Sequence, residues 1–99
     1  MLQLSDEHDH FVKKPEAVNL QVVNATTAAN FFHLLRRQMK RNYRKPLVVA
    51  SPKKLLKYAK ANSDFEDFDE NQAFHEIFSD PSKTLVSADK VKKVIFCSG

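Results

Sequence analysis

Leu20-Gln21-Val22-Val23-Asn24, then Thr26-Thr27-Ala28-Ala29-Asn30-Phe31-Phe32-His33-Leu34-Leu35-Arg36-Arg37-Gln38-Met39-Lys40-Arg41, then Pro46-Leu47-Val48-Val49-Ala50: these three runs, in this order, decide the fold. The first is short and rich in β-formers, and predicts a strand. In the second, Ala28, Phe31, Phe32, Leu35 and Met39 recur at the i, i+3, i+4, i+7 spacing of one helix face, which is expected to be buried. Thr26 or Thr27 offers an N-cap hydroxyl. Arg36, Arg37, Lys40 and Arg41 oppose the negative end of the helix dipole, so the predicted helix spans 27–41. The third run is apolar without alternation, as in a strand covered on both faces. Strand, helix, strand in about thirty residues predicts a right-handed βαβ crossover in a parallel sheet, hence an α/β fold.

Outward from this unit the signals weaken. Ser51-Pro52 places an N-cap serine before a proline suited to a first helical position, so 52–60 is expected to be a short helix with Leu55, Leu56 and Ala59 on its apolar side. Residues 62–71 are acidic and have the look of a linker, although Phe65 and Phe68 suggest packing. Phe74-His75-Glu76-Ile77-Phe78 alternates and predicts a strand, 80–89 a loop, and Val91 to Cys97 a further strand. Leu2 to Glu16, polar and broken by Pro15, reads as an irregular lead-in. That inventory has one helix too few to cover a parallel sheet. The expectation is a piece of a larger α/β protein.

Composition removes several function classes. The chain has 99 residues, room for one domain at most, with 42% hydrophobic and 28% charged residues, ordinary for a globular piece. Its one glycine is Gly99, so no Gly-rich loop cradles a nucleotide phosphate. Cys97 alone forms neither an internal disulfide nor a multi-cysteine zinc site, which points to a reducing compartment. No apolar run nears the roughly 18 to 20 residues needed to span a bilayer, and the acidic N-terminus reads as no targeting segment. Charge is uneven behind the net +4: residues 36–60 hold ten Lys/Arg and no acid, and 61–82 hold seven acids and no Lys or Arg.

Candidate chemistry is sparse. Asp6-Glu7-His8-Asp9-His10 has metal-ligand residue types, but in a lead-in a solvated polar stretch is the better reading. His33 is placed opposite the apolar stripe, one turn before Arg36 and Arg37, where it is expected to be exposed or paired with a neighbouring domain. His75 has no identifiable acid–base partner, and nothing supplies a base for Cys97. No catalytic or metal residue is assigned. The basic block suggests an alternative, a small binding module for nucleic acid or an acidic protein partner. Against nucleic acid, its charges are split between two elements by a covered strand, with only Tyr43 and Tyr58 interleaved.

Residues 26–57 carry something more specific. Thr-Thr-Ala-Ala-Asn-Phe-Phe-His-Leu-Leu-Arg-Arg-Gln-Met, followed by Arg-Lys-Pro-Leu-Val-Val-Ala-Ser-Pro-Lys-Lys-Leu-Leu-Lys, closely resembles the thiamine-diphosphate-dependent first component of 2-oxoglutarate dehydrogenase. The family pattern is S/T-T-P-A-N-Y/F-F-H-x-L-R-R-Q, then R-K-P-L-I/V-V-x-S/T-P-K-x-L-L-R. Leu2-Gln3-Leu4 and the closing Val91-Lys92-Lys93-Val94-Ile95-Phe96-Cys97-Ser98-Gly99 fit in the same order, whereas 58–90 match only in character. The paralogous 2-oxoadipate dehydrogenase looks equally similar.

The resemblance implies a fragment of transketolase-like parallel-sheet domains. Residues 1–60 would end a pyrimidine-binding domain, 61–73 would be an acidic linker, and 74–99 would begin a C-terminal domain. Met1 stands where the family has an aromatic inside a continuous chain, and Gly99 looks like a βα turn cut before its helix. Family enzymes decarboxylate a 2-oxo acid on thiamine diphosphate, held through magnesium, and pass the acyl group to the lipoyl arm of a second component. The residues that do so lie upstream, so this chain is expected to supply scaffold and interface, to bind no cofactor alone and to be inactive alone. Implied partners are the rest of the enzyme, its homodimer mate and the lipoyl-bearing component, without a membrane. The implied location is the mitochondrial matrix, or the cytoplasm in bacteria. One family site maps in part: bacterial members bind acetyl-CoA as an activator at positions that correspond to Gln21, Arg37, Ala73 and Glu76. Only Arg37 matches, and Glu76 would repel a phosphate.

Overall fold

The computed structural model describes residues 4–5, 18–79 and 90–97. Its centre is a strand–helix–strand unit: β1 (Gln21–Val23), α1 (Ala28–Lys40) and β2 (Leu47–Val49). The strands pair in parallel, Gln21 beside Leu47, Val22 beside Val48 and Val23 beside Val49. The ladder runs one residue past each end, with Gln21 N–H donating to Pro46 C=O at 3.0 Å and Ala50 N–H to Val23 C=O at 2.9 Å. A parallel pair needs a crossover, and α1 provides it. Both strands are half-buried along their whole length.

Thr27, in extended backbone, caps α1: its hydroxyl accepts from Asn30 N–H at 3.2 Å. Arg37 and Lys40 occupy the last turn, where the orphan carbonyls favour cations. The helix and its start are as the sequence predicts. Its buried face is not. Ala29, Asn30, His33 and Leu34 are buried, while Phe31, Phe32, Leu35 and Met39 stand 42–79% exposed. Two faces of this helix satisfy helical spacing. The one turned inward carries small and polar residues because it rests on a segment that offers main-chain groups rather than apolar side chains. His33, expected on the outer side, is therefore in the core with Ala25, Ala29 and Leu34.

That segment is the acidic stretch. A 3-10 turn, Phe65–Phe68, packs on α1, and Asp67 steadies it by accepting from Asp64 N–H at 3.0 Å. Phe68 meets Phe32 edge to face, with ring centroids 5.5 Å apart. The packing that Phe65 and Phe68 suggested thus belongs to Phe68 alone; Phe65 is 93% exposed.

Three predicted elements do not form. Residues 52–60 give two 3-10 turns, Lys53–Lys57 and Ala59–Ala61, broken at an extended Tyr58; no side chain caps the first, so Ser51 is no N-cap. With no buried residue in either turn, nothing offsets the cost of nucleating so short a helix. Phe74–Phe78 is not a strand, because an amide side chain rather than another strand takes His75's main-chain groups. Val91–Cys97 is exposed throughout and finds no neighbour to pair with among the described residues. The predicted loop, 80–89, lies outside the described residues, as does nearly all of the lead-in.

Candidate functional site

The densest polar arrangement lies where α1 meets residues 63–76. Asn30, 5% exposed, reads both main-chain groups of His75: its Nδ2 donates to the carbonyl at 3.1 Å and its Oδ1 accepts from the N–H at 2.9 Å. His33 Nε2 lies 2.8 Å from Asp67 C=O, and its Nδ1 lies 3.2 Å from Arg36 Nη1. A guanidinium only donates, so Nδ1 is the acceptor and Nε2–H donates to the carbonyl. Arg36 spreads its fork over two more carbonyls, Gln72 at 3.1 Å and Glu70 at 2.8 Å. Ser63 Oγ accepts from Ala29 N–H at 3.0 Å, near the start of the helix. Helical spacing puts Asn30, His33 and Arg36–Arg37 in successive turns of one face, so one straight element holds a whole irregular segment.

Arg37 stands at the far end of this row. Its guanidinium pairs with Glu76 at 3.5 Å and lies 4.2 Å from the ring centre of Phe74. Burial lowers its pKa below the usual guanidinium value, with the charge of Arg41 adding to the effect; Glu76 and Tyr43 pull the other way. Of the four mapped positions, the structure joins Arg37 to Glu76. Gln21 instead contacts the Tyr43 hydroxyl at 3.5 Å, and Ala73 is exposed. Arg41 and Lys45 flank the same Tyr43 ring, at 5.4 and 5.6 Å.

The remaining candidates stay apart. Asp6 to His10 lie outside the described residues. His75 is exposed and tilts against Phe78, and Cys97 is exposed. Among the described residues no three His, Cys, Asp or Glu side chains gather into a metal-binding group, and no helix is long and apolar enough to cross a membrane. Sequence reasoning missed the roles of Asn30 and His33. Their partners are main-chain groups of a distant segment, which no spacing in the sequence marks.

A strand–helix–strand unit with parallel strands, and a helix face given over to holding main chain, define an α/β unit. The chain belongs to the transketolase pyrimidine-binding domain family, whose model matches residues 2–59. It is 49% identical over 98 residues to the 2-oxoadipate dehydrogenase complex component E1 of Rattus norvegicus, which covers 99% of this chain and 10% of that protein. The probable homolog from Dictyostelium discoideum is 45% identical over 102 residues, again 99% of this chain and 11% of the relative. The 2-oxoglutarate dehydrogenase E1 component of Brucella anthropi is 41% identical over 88 residues, 82% of this chain and 9% of the relative. The chain thus spans about a tenth of the curated relatives that it matches.

Proposed function

We propose that the chain is part of the first component of a 2-oxoadipate or 2-oxoglutarate dehydrogenase, where it supplies scaffold and interface rather than the active centre. The observation that carries this reading is identity of 49% sustained across 98 residues, joined to a parallel crossover that the family fold contains. The enzyme would oxidatively decarboxylate a 2-oxo acid and hand the acyl group to a lipoyl arm. Its partners would be the remainder of the enzyme, a homodimer mate and the lipoyl-bearing component, in the mitochondrial matrix or the bacterial cytoplasm. In domain terms, 1–60 would close the pyrimidine-binding domain and 74–99 would open the next, with 61–73 between them.

Thiamine diphosphate supplies the carbanion chemistry in such enzymes. The described residues of this chain do not fit a site for it and its magnesium. The buried amide and imidazole, Asn30 and His33, are spent on main-chain contacts, and the exposed carboxylates do not converge on a cation. Arg37 is the one residue carried over to an acetyl-CoA activator site, and its ion pair with Glu76 would compete with an arriving phosphate.

The test is a chimera. Replacing the matching tenth of the rat relative with this chain should preserve decarboxylation and lipoyl transfer. A folded chimera that has lost both would refute the reading. The 99-residue chain with thiamine diphosphate and magnesium should convert neither 2-oxo acid, and measurable turnover would overturn the assignment to scaffold.

A further inference from the structure

We propose that His33 is an acid-released catch: a proton on its Nδ1 drives Arg36 away and frees residues 70–72 while the rest of the fold stays closed. The imidazole is 3% exposed, with Nε2–H donating to Asp67 C=O at 2.8 Å and Nδ1 accepting from Arg36 Nη1 at 3.2 Å. The same Nη1 donates to Gln72 C=O at 3.1 Å, and Nη2 donates to Glu70 C=O at 2.8 Å. The guanidinium is therefore braced on its own helix by one acceptor while it grips the segment through two. Imidazole is the side chain that changes charge between about pH 5 and 8, and its protonated ring has two donors and no acceptor. Acid thus turns the brace into two cations aiming N–H groups at each other, and leaves the bond to Asp67 intact.

The surrounding charges do not offset this. From α1 the imidazole faces Arg36 and Arg37, both cations, and Arg37 is already paired with Glu76. On the packed segment the carboxylates of Asp64, Glu66, Asp67, Asp69 and Glu70 are exposed, where water and salt screen them. The imidazole touches the Asp67 carbonyl and not its carboxylate, which accepts from Asp64 N–H at 3.0 Å. Phe32 meets the ring edge to face at 5.1 Å and carries no charge. His75, the segment's own imidazole, is exposed and is held only through its main chain.

The release is local. Asn30 keeps both main-chain groups of His75, Phe68 stays on Phe32, and neither contact titrates. Half-buried Arg36 has water within reach, as do the carbonyls it lets go. The catch is built from contacts inside this chain alone. Any further covering would bury His33 more deeply, so the device does not depend on the surfaces that the chain leaves bare.

Hydrogen exchange of the 99-residue chain, read by NMR and divided by the intrinsic rate at each pH, tests this. The background is His75→Gln, which removes the segment's other imidazole and leaves the main-chain groups that Asn30 holds. The Gln72 amide, which donates to Asp69 C=O at 3.1 Å, should lose protection about tenfold between about pH 8 and about pH 5. Ala50, whose N–H donates to Val23 C=O in the strand ladder, should keep its protection. The fall at Gln72 should share its midpoint with the nitrogen shift of His33 Nδ1. His33→Gln, whose amide takes no proton, should hold Gln72 protection level across that range. Arg36→Gln, at a half-buried position, gives an independent reading: protection at Gln72 should be low and equal at both ends. A fall at Gln72 that survives in either variant, or a His33 that gains its proton with Gln72 unmoved, would overturn the proposal. So would a parallel fall at Ala50, which would mark general unfolding.

Discussion

Asn30 spends its side chain on a single residue, His75, meeting both main-chain groups in the way that a neighbouring strand would. Truncation to Ala leaves that pair unsatisfied at a half-buried contact, which costs about 1–3 kcal/mol. Asn30→Ala should therefore lower the denaturation midpoint and speed hydrogen exchange at the His75 amide specifically. His33 makes a sharper prediction. With Arg36 donating to Nδ1, long-range nitrogen–proton spectra should show the proton on Nε2, and an Nδ1–H tautomer would contradict the geometry. Arg37 contributes no pH dependence in the working range. Its lowered pKa means that the folded chain holds this proton less tightly than the unfolded one, so stability rises with pH only where the guanidinium itself titrates, far above the working range. Between about pH 6 and 9, unfolding of the wild type and Arg37→Gln should differ by a constant amount.

At the scale of elements, β1, α1 and β2 were legible because each depends on local signals: β-branched residues, a capping hydroxyl and helical spacing. Thr27→Ala removes the cap hydroxyl and should destabilise the chain by about 1 kcal/mol, with loss of helical signal on heating. The burial face was illegible, because periodicity shows that a helix is two-faced without saying which face meets the chain. Asn30 and His33 are buried here since the partner segment presents carbonyls, a property of backbone geometry that leaves no residue pattern. The 52–60, 74–78 and 91–97 segments failed as predictions for a related reason. Their apolar residues suit a helix or strands only against a covering surface, and the described residues supply none. Of the candidate site, Arg37 and its cationic neighbours were visible as charge, whereas the pairing with Glu76 required the fold of 63–76 to be known.

At the scale of the whole molecule, apolar surface is plentiful and core is scarce. Among the described residues Leu34 alone is a fully buried large side chain, while Phe31, Leu35, Met39, Ile77, Ile95 and Phe96 remain exposed. Val48 and Val49 are half-buried, and the exposure falls on α1 and on the segments after 76, Ile95 among them. The chain should bind a hydrophobic dye at neutral pH. Met39→Gln, at a position 79% exposed, should reduce that fluorescence while changing stability by no more than about 0.5 kcal/mol. A dye-silent wild type would mean that α1 is covered in solution.

The grip of α1 on 67–75 has a consequence for how this molecule can vary. Asn30, His33 and Arg36 address carbonyls and one N–H, groups that every residue but proline possesses. Side chains at Glu70, Gln72 and His75 are therefore free to be rewritten without unseating the segment. A saturation library should record permissive columns there beside intolerant ones at Asn30 and Arg36, with proline at 75 the marked exception. The helix works as a socket indifferent to the lettering on its plug, and the segment it holds is where new surface chemistry can be tried at little risk to the fold.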